Sequence, residues 1–141
     1  MLIEFDYSIE MAQDLIFIDN ESFMDIKYDA ETLCQKIKAN KNYKLYIYYQ
    51  DDKPVGYIGL LFVSNPHYDG VWIDLIAVRE KYRNQSIGKK MIQEVIMLLR
   101  DMDLEIMTSL VSVENIPSQK IMENSMFEPE DHDFKLFIKK L

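Results

Sequence analysis

The spacing of apolar residues changes along the chain, and each change marks an element. Between Ile9 and Phe23, the positions Leu15, Ile16, Ile18, Asp19 and Phe23 fall at mixed intervals compatible with a helix, and the polar run Asp29-Ala30-Glu31-Thr32 opens a second helix. From Tyr43 the texture becomes aromatic and branched: Lys44-Leu45-Tyr46-Ile47-Tyr48-Tyr49, then Asp51-Asp52-Lys53-Pro54, then Val55 to Val63. That pattern predicts two strands joined by a tight turn. After a loop at Asn65-Pro66, Val71-Trp72-Ile73-Asp74-Leu75-Ile76-Ala77-Val78 is nearly continuous in apolar residues, the mark of a central strand covered on both faces.

Ile87, Met91, Val95, Leu99 and Met102 recur at three- or four-residue steps, with Lys89, Lys90, Gln93, Glu94, Arg100 and Asp101 between them. They predict an amphipathic helix of about 15 residues. Glu105 to Val113 returns to strand texture, and Asn115-Ile116-Pro117-Ser118 supplies a cap and a first-turn proline for a short helix through Asn124. A last strand is expected over Lys135 to Lys139. The order predicts an α/β protein, a mixed sheet flanked by helices, with no internal repeat or linker-like tract.

With 141 residues, 48% of them apolar, the chain is expected to form one domain over residues 1–141 with a real core. The start Met1-Leu2-Ile3-Glu4-Phe5-Asp6 is acidic where a secretory signal is basic, and no apolar run approaches the roughly 20 residues of a membrane span. A soluble, cytoplasmic protein without a membrane partner is expected. Cys34 is the only cysteine, which excludes an internal disulfide and suits a buried structural thiol. His67 and His132 have no metal-ligand spacing, so no metal is expected. A net charge of −8 argues against nucleic acid and favours a cationic or neutral substrate.

The candidate chemistry lies where the apolar strand ending Leu75-Ile76-Ala77-Val78 passes through Arg79-Glu80-Lys81-Tyr82-Arg83-Asn84-Gln85-Ser86 into the helix Ile87-Gly88-Lys89-Lys90. A loop feeding a helix N-terminus points unpaired N–H groups one way and adds the helix dipole, so it can hold a pyrophosphate. Gly88 would let a ligand approach the backbone, Lys89 and Lys90 could add charge, and Ser86 could cap the helix.

Arg83-Asn84-Gln85-Ser86-Ile87-Gly88 resembles the coenzyme A signature of the GCN5-related N-acetyltransferases, Arg or Gln, two variable residues, Gly, one variable residue, then Gly or Ala; Ser86 replaces the middle glycine. Downstream, Asn115, Ser118, Met122 and Met126-Phe127 occupy the places of a second family pattern, with Met122 where the family often has tyrosine. The resemblance implies that family's fold, with central strands splayed around the pantetheine arm of acetyl-CoA. It implies main-chain contacts from Ile76, Ala77 and Val78, a pyrophosphate over residues 83–89, and anchoring by Asn115 and Ser118, with Lys120 in reach. Capping for Asn115 and solvent exposure for Lys120 remain equally open.

The implied activity is transfer of an acetyl group to the primary amine of a small molecule or peptide; a homodimer stays open. Asp74 is the candidate base if burial raises its pKa, or else a carboxylate satisfied by hydrogen bonds at a strand bulge. A water chain to Asp74 and proximity alone are further routes. Met122 has no proton for the departing thiolate, which leaves another group such as Tyr82 or Ser125, a water, or no general acid at all. Phe23, Met24, Tyr28 and Asp29, with Trp72 and His67, are candidate acceptor contacts, while aromatics at such positions are equally candidates for core. The departures at Ser86, Met122 and Met126 also fit a catalytically weak acyl-CoA-binding or regulatory module, and a cofactor-free interaction protein is a third reading.

Overall fold

A five-stranded sheet runs in sequence order, with β1 (Leu2–Glu4), β2 (Tyr43–Gln50), β3 (Lys53–Ser64) and β4 (Asp69–Val78) antiparallel in turn and β5 (Ile106–Ser109) parallel to β4. The computed structural model describes residues 1–23 and 26–141. Helices α1 (Ile9–Ser22) and α2 (Ala30–Ala39) cover one face, and α3 (Ile87–Leu99) and α4 (Ile116–Asn124) the other.

Local chemistry starts these elements. Ser8 and Asp29 cap α1 and α2 by accepting from the N–H groups of Met11 (3.2 Å) and Thr32 (2.8 Å). Asp51 and Asp52, both at positive φ (50° and 57°), make the two-residue turn between β2 and β3. Such primed turns match the twist of the strands they join.

The two largest cores follow from the alternation of side chains along each strand. Leu45, Ile47, Tyr57 and Ala77 meet Leu15, Ile18, Leu33 and Ile37 on the α1 side. Ile58, Leu60, Val71 and Ile73 meet Ile92, Val95, Leu99 and Met122 on the α3 side. Cys34 is buried in the first core.

Three expectations change. The short strand β1 carries too few residues for a periodic signal and is defined by pairing with Tyr46–Tyr48. Helix α3 ends at Leu99 rather than Met102, because the Met102 N–H turns back to the Leu99 carbonyl in a tighter turn. No strand forms over Lys135–Lys139: residues 127–141 lack regular structure, and Phe137 is 87% exposed. Strand texture is a local property, whereas a strand needs a ladder partner, and this segment pairs with none among the described residues.

No helix among the described residues is long and apolar enough to cross a membrane.

Candidate active site

The site begins where the sheet opens. The β4–β5 ladder runs from Gly70 opposite Ile106 to Ile73 opposite Ser109 and stops, while β4 continues to Val78. The Arg79 N–H donates to the Val55 carbonyl on β3 (2.9 Å), so alternate residues Ala77 and Arg79 turn their backbone groups toward β3. Ile76 and Val78 therefore present N–H and C=O groups to the open side, an edge that an amide-containing ligand can extend as an added strand. Arg83 already uses part of it: its Nε donates to the Val78 carbonyl at 3.0 Å.

A bulge sits where the strands part. Gly59 pairs with Leu75 and Leu60 with Ile73, which leaves Asp74 as the extra residue on β4. The side-chain pattern shows it independently, since Ile73 and Ile76, an odd step apart, both reach the α3-side core. Asp74 is exposed, so the burial expected to tune it is absent. Its carboxylate does accept a hydrogen bond at the bulge, from the Tyr43 hydroxyl at 3.3 Å.

At the far end of the open edge lies the start of α3. Asn84 (φ 60°) and Ser86 (φ 59°) are both left-handed, and the first helical bond runs from the Lys90 N–H to the Ser86 carbonyl. Among the described residues, no protein group accepts from the N–H groups of residues 84 to 89. Alternating left-handed residues before a helix gather N–H groups into an anion-binding concavity. This cradle and the open edge of β4 fit a pyrophosphate joined to an amide arm.

The expected Ser86 cap does not form, and the other residues there have contacts of their own. Ser86 stands at the N-cap of α3 without a side-chain capping bond, because its left-handed backbone aims the hydroxyl elsewhere. Gly88 serves packing: a Cβ there would lie 2.9 Å from Cδ1 of Ile121 on α4. Gln85 donates from Nε2 to the Lys81 carbonyl (3.2 Å), Ile87 is buried beneath the loop, and Lys89 is half-buried.

On the α4 side, Asn115 caps its helix by accepting from the Ser118 N–H at 3.2 Å, and Lys120 is exposed. Met122 is 7% exposed, packed in the core. The Ser125 hydroxyl donates to the Ile121 carbonyl at 2.8 Å. Tyr82 lies beside Val78, with Arg79 and Lys81 over its ring, at the end of β4 away from Asp74. Neither hydroxyl stands free beside the bulge.

The acceptor candidates scatter. Tyr43, Leu61, Trp72 and Thr108 form one row across four strands on the α1 face, with Trp72 half-buried and the Thr108 hydroxyl without a partner among the described residues. Phe23 is exposed after α1, and Tyr28 carries the Lys36 ammonium 4.5 Å over its ring. Asp29 is spent on the α2 cap, where the Thr32 N–H holds its carboxyl below the usual range. His67 sits in the β3–β4 turn, away from the bulge, and Met24 lies outside the described residues.

Sequence reading missed a polar cluster beside the bulge. The Tyr57 hydroxyl donates a very short hydrogen bond to Asp19, and both side chains are buried, at 1% and 7% exposure. Burial first, then the Asp19 carboxylate, pushes the Tyr57 phenol far up; burial and then Asp74 do the same for Tyr43. Both phenols therefore stay protonated donors. The available signal was Asp19 itself, a carboxylate four residues after Leu15 on a buried helical face.

The sequence model of the acetyltransferase (GNAT) family matches residues 9–126. No curated protein matches the sequence. Among solved structures, the fold is similar to an aminoglycoside acetyltransferase from an uncultured soil metagenomic sample, in complex with sisomicin (16% identity, TM-score 0.85, 99% of this chain and 95% of that one). It is also similar to an aminoglycoside 6'-N-acetyltransferase from Acinetobacter haemolyticus (14%, 0.80, 100% and 99%). A ribosomal-protein-alanine N-acetyltransferase from Brucella melitensis biovar Abortus 2308 is a third (11%, 0.78, 99% and 99%). With a family match across most of its length, the chain belongs to the acetyltransferase (GNAT) family of acyl-CoA-dependent N-acetyltransferases.

Proposed function

We propose that residues 1–141 work as one acetyltransferase domain, taking acetyl-CoA as donor and the primary amine of a small molecule or peptide as acceptor by direct transfer. The observation that carries this reading is the end of the β4–β5 ladder at Ile73, immediately before the bulge at Asp74. An open backbone edge follows that carboxylate along β4, and the loop after it leads to the N–H groups that would hold an anion.

The N–H groups of residues 84 to 89 would hold the pyrophosphate, and Ile76 and Val78 the pantetheine amides. Arg83 would stay on the Val78 carbonyl, whose second lone pair remains available. Asn115 would offer its side-chain amide from the α4 cap, beside Ser118. Bound acetyl-CoA supplies a thioester carbon that accepts the amine nitrogen and a thiolate that leaves. Asp74 takes the proton lost by the attacking nitrogen, directly or through one water, and the edge of β4 orients the reacting groups. Met122 provides no acid, so solvent protonates the thiolate. Trp72, two residues before Asp74 on the α1 face, would face the acceptor, Phe23 and Tyr28 would join it only from the α1–α2 connection, and the −8 net charge favours a cation.

The test is calorimetric titration with acetyl-CoA, then thiol release with spermidine, a peptide bearing a free N-terminus, and sisomicin. Binding together with amine-dependent thiol release is expected. Tight binding without thiol release favours an acyl-CoA-binding or regulatory module, a reading motivated by the buried Met122 and the engaged Ser125 hydroxyl.

A further inference from the structure

Strand β3 has a gap at Gly59, which stands opposite Leu45 on β2 and Leu75 on β4. Tyr43 starts β2 one alternate position away, on the same α1-side face. Its ring lies across the gap: a Cβ on Gly59 would collide with the Tyr43 hydroxyl and stand 2.9 Å from its Cζ. A phenol rooted on β2 thereby crosses β3 and donates to Asp74 Oδ2 on β4 at 3.3 Å.

This bond is the one side-chain hydrogen bond to Asp74 among the described residues. An exposed aspartate on a bulge otherwise samples several rotamers, and a base acts only from the one in reach of the proton. The neighbouring titratable groups are already engaged with each other, since Tyr57 binds Asp19 and leaves Tyr43 to Asp74. A raised phenol pKa keeps that donor protonated across the working range of an amine acetyltransferase.

We propose that Tyr43 is a positioning residue for proton transfer, holding one carboxylate oxygen of Asp74 across the Gly59 gap and leaving the other to accept the proton of the acceptor amine. The proposal rests on the reading of Asp74 as the base. It adds that the β2 start, which touches neither the cofactor cradle nor the open edge of β4, controls the rate.

The experiment is a double-mutant cycle with Tyr43→Phe, Asp74→Asn and the double variant, each scored for kcat and for KM of acetyl-CoA. The acceptor is whichever of spermidine, the free-N-terminus peptide and sisomicin gives most thiol release. Tyr43→Phe keeps the ring over Gly59 and is expected to lower kcat about tenfold with the KM of acetyl-CoA unchanged, while adding less than about twofold once Asp74 is Asn. Gly59→Ala, which removes no polar atom but displaces the phenol, should reproduce the loss, with folding checked by thermal melting. A fall with Asp74→Asn but none with Tyr43→Phe, or losses that multiply, overturns the role of Tyr43 and leaves the base standing. An unchanged rate in Asp74→Asn overturns the base and this proposal together.

Discussion

The Arg79 guanidinium grips both carboxylate oxygens of Glu21, Nε to Oε2 at 3.1 Å and Nη2 to Oε1 at 3.0 Å. Its third nitrogen donates to the Pro54 carbonyl (3.1 Å), and its plane lies 4.1 Å over the Phe17 ring. One buried arginine at the end of β4 thus ties the last turn of α1 to the start of β3. Bidentate pairs of this kind are the strong ones, and partial exposure of Glu21 discounts the gain.

The hydrogen bond from Arg79 holds the Glu21 carboxyl below its usual range. Because the folded carboxyl binds its proton less tightly, its stabilisation is present above the unfolded value of about 4.3 and fades as pH falls through the lower folded value. Glu21→Gln is expected to cost about 1 kcal/mol at neutral pH and less in acid. Thermal melts of parent and variant from pH 7 to pH 3 should therefore converge, and a constant gap would show that the charge is irrelevant.

Ser86 occupies a left-handed position where a side chain is strained and makes no capping bond. Ser86→Gly should stabilise the fold by about 1 kcal/mol, a rise of about 3 °C in Tm, with acetyl-CoA affinity kept. Calorimetry on both proteins checks each half, and a loss of affinity would assign the hydroxyl a binding role.

Gly88 admits Ile121 against α3. Gly88→Ala is expected to destabilise by about 1–2 kcal/mol through overpacking, and Ile121→Val, which removes the Cδ1 atom 2.9 Å from the added methyl, should recover most of it. Chemical denaturation of the two singles and the double measures this. Additive losses would mean that the two side chains do not meet.

Met122 is buried and holds no transferable proton. Met122→Leu, nearly volume-conserving, should leave kcat within about threefold and stability within about 1.5 kcal/mol. Steady-state thiol release beside a melting curve tests it; a collapse in rate at intact stability would give the thioether a function.

The sequence alone determined the order of elements from α1 to α4, since the periodicities at Leu45–Tyr49, Val71–Val78 and Ile87–Leu99 are imposed locally by which face is buried. It also located the loop before α3, because a strand, a short polar loop and a helix start are contiguous in the chain. The tertiary structure decided the rest. That the ladder stops at Ile73 depends on where β5 ends, far away in sequence, and that Asp74 is the bulged residue depends on its register with Gly59. Gly88 has a packing role against Ile121 that only the placement of α4 reveals, and the Lys135–Lys139 segment read as a strand although no partner among the described residues receives it. Tyr43, Gly59 and Asp74 lie on three different strands, and no local pattern joins them. A phenol can reach a carboxylate across an intervening strand only when the sheet has aligned a missing Cβ beneath it, and that alignment is a property of pairing rather than of sequence.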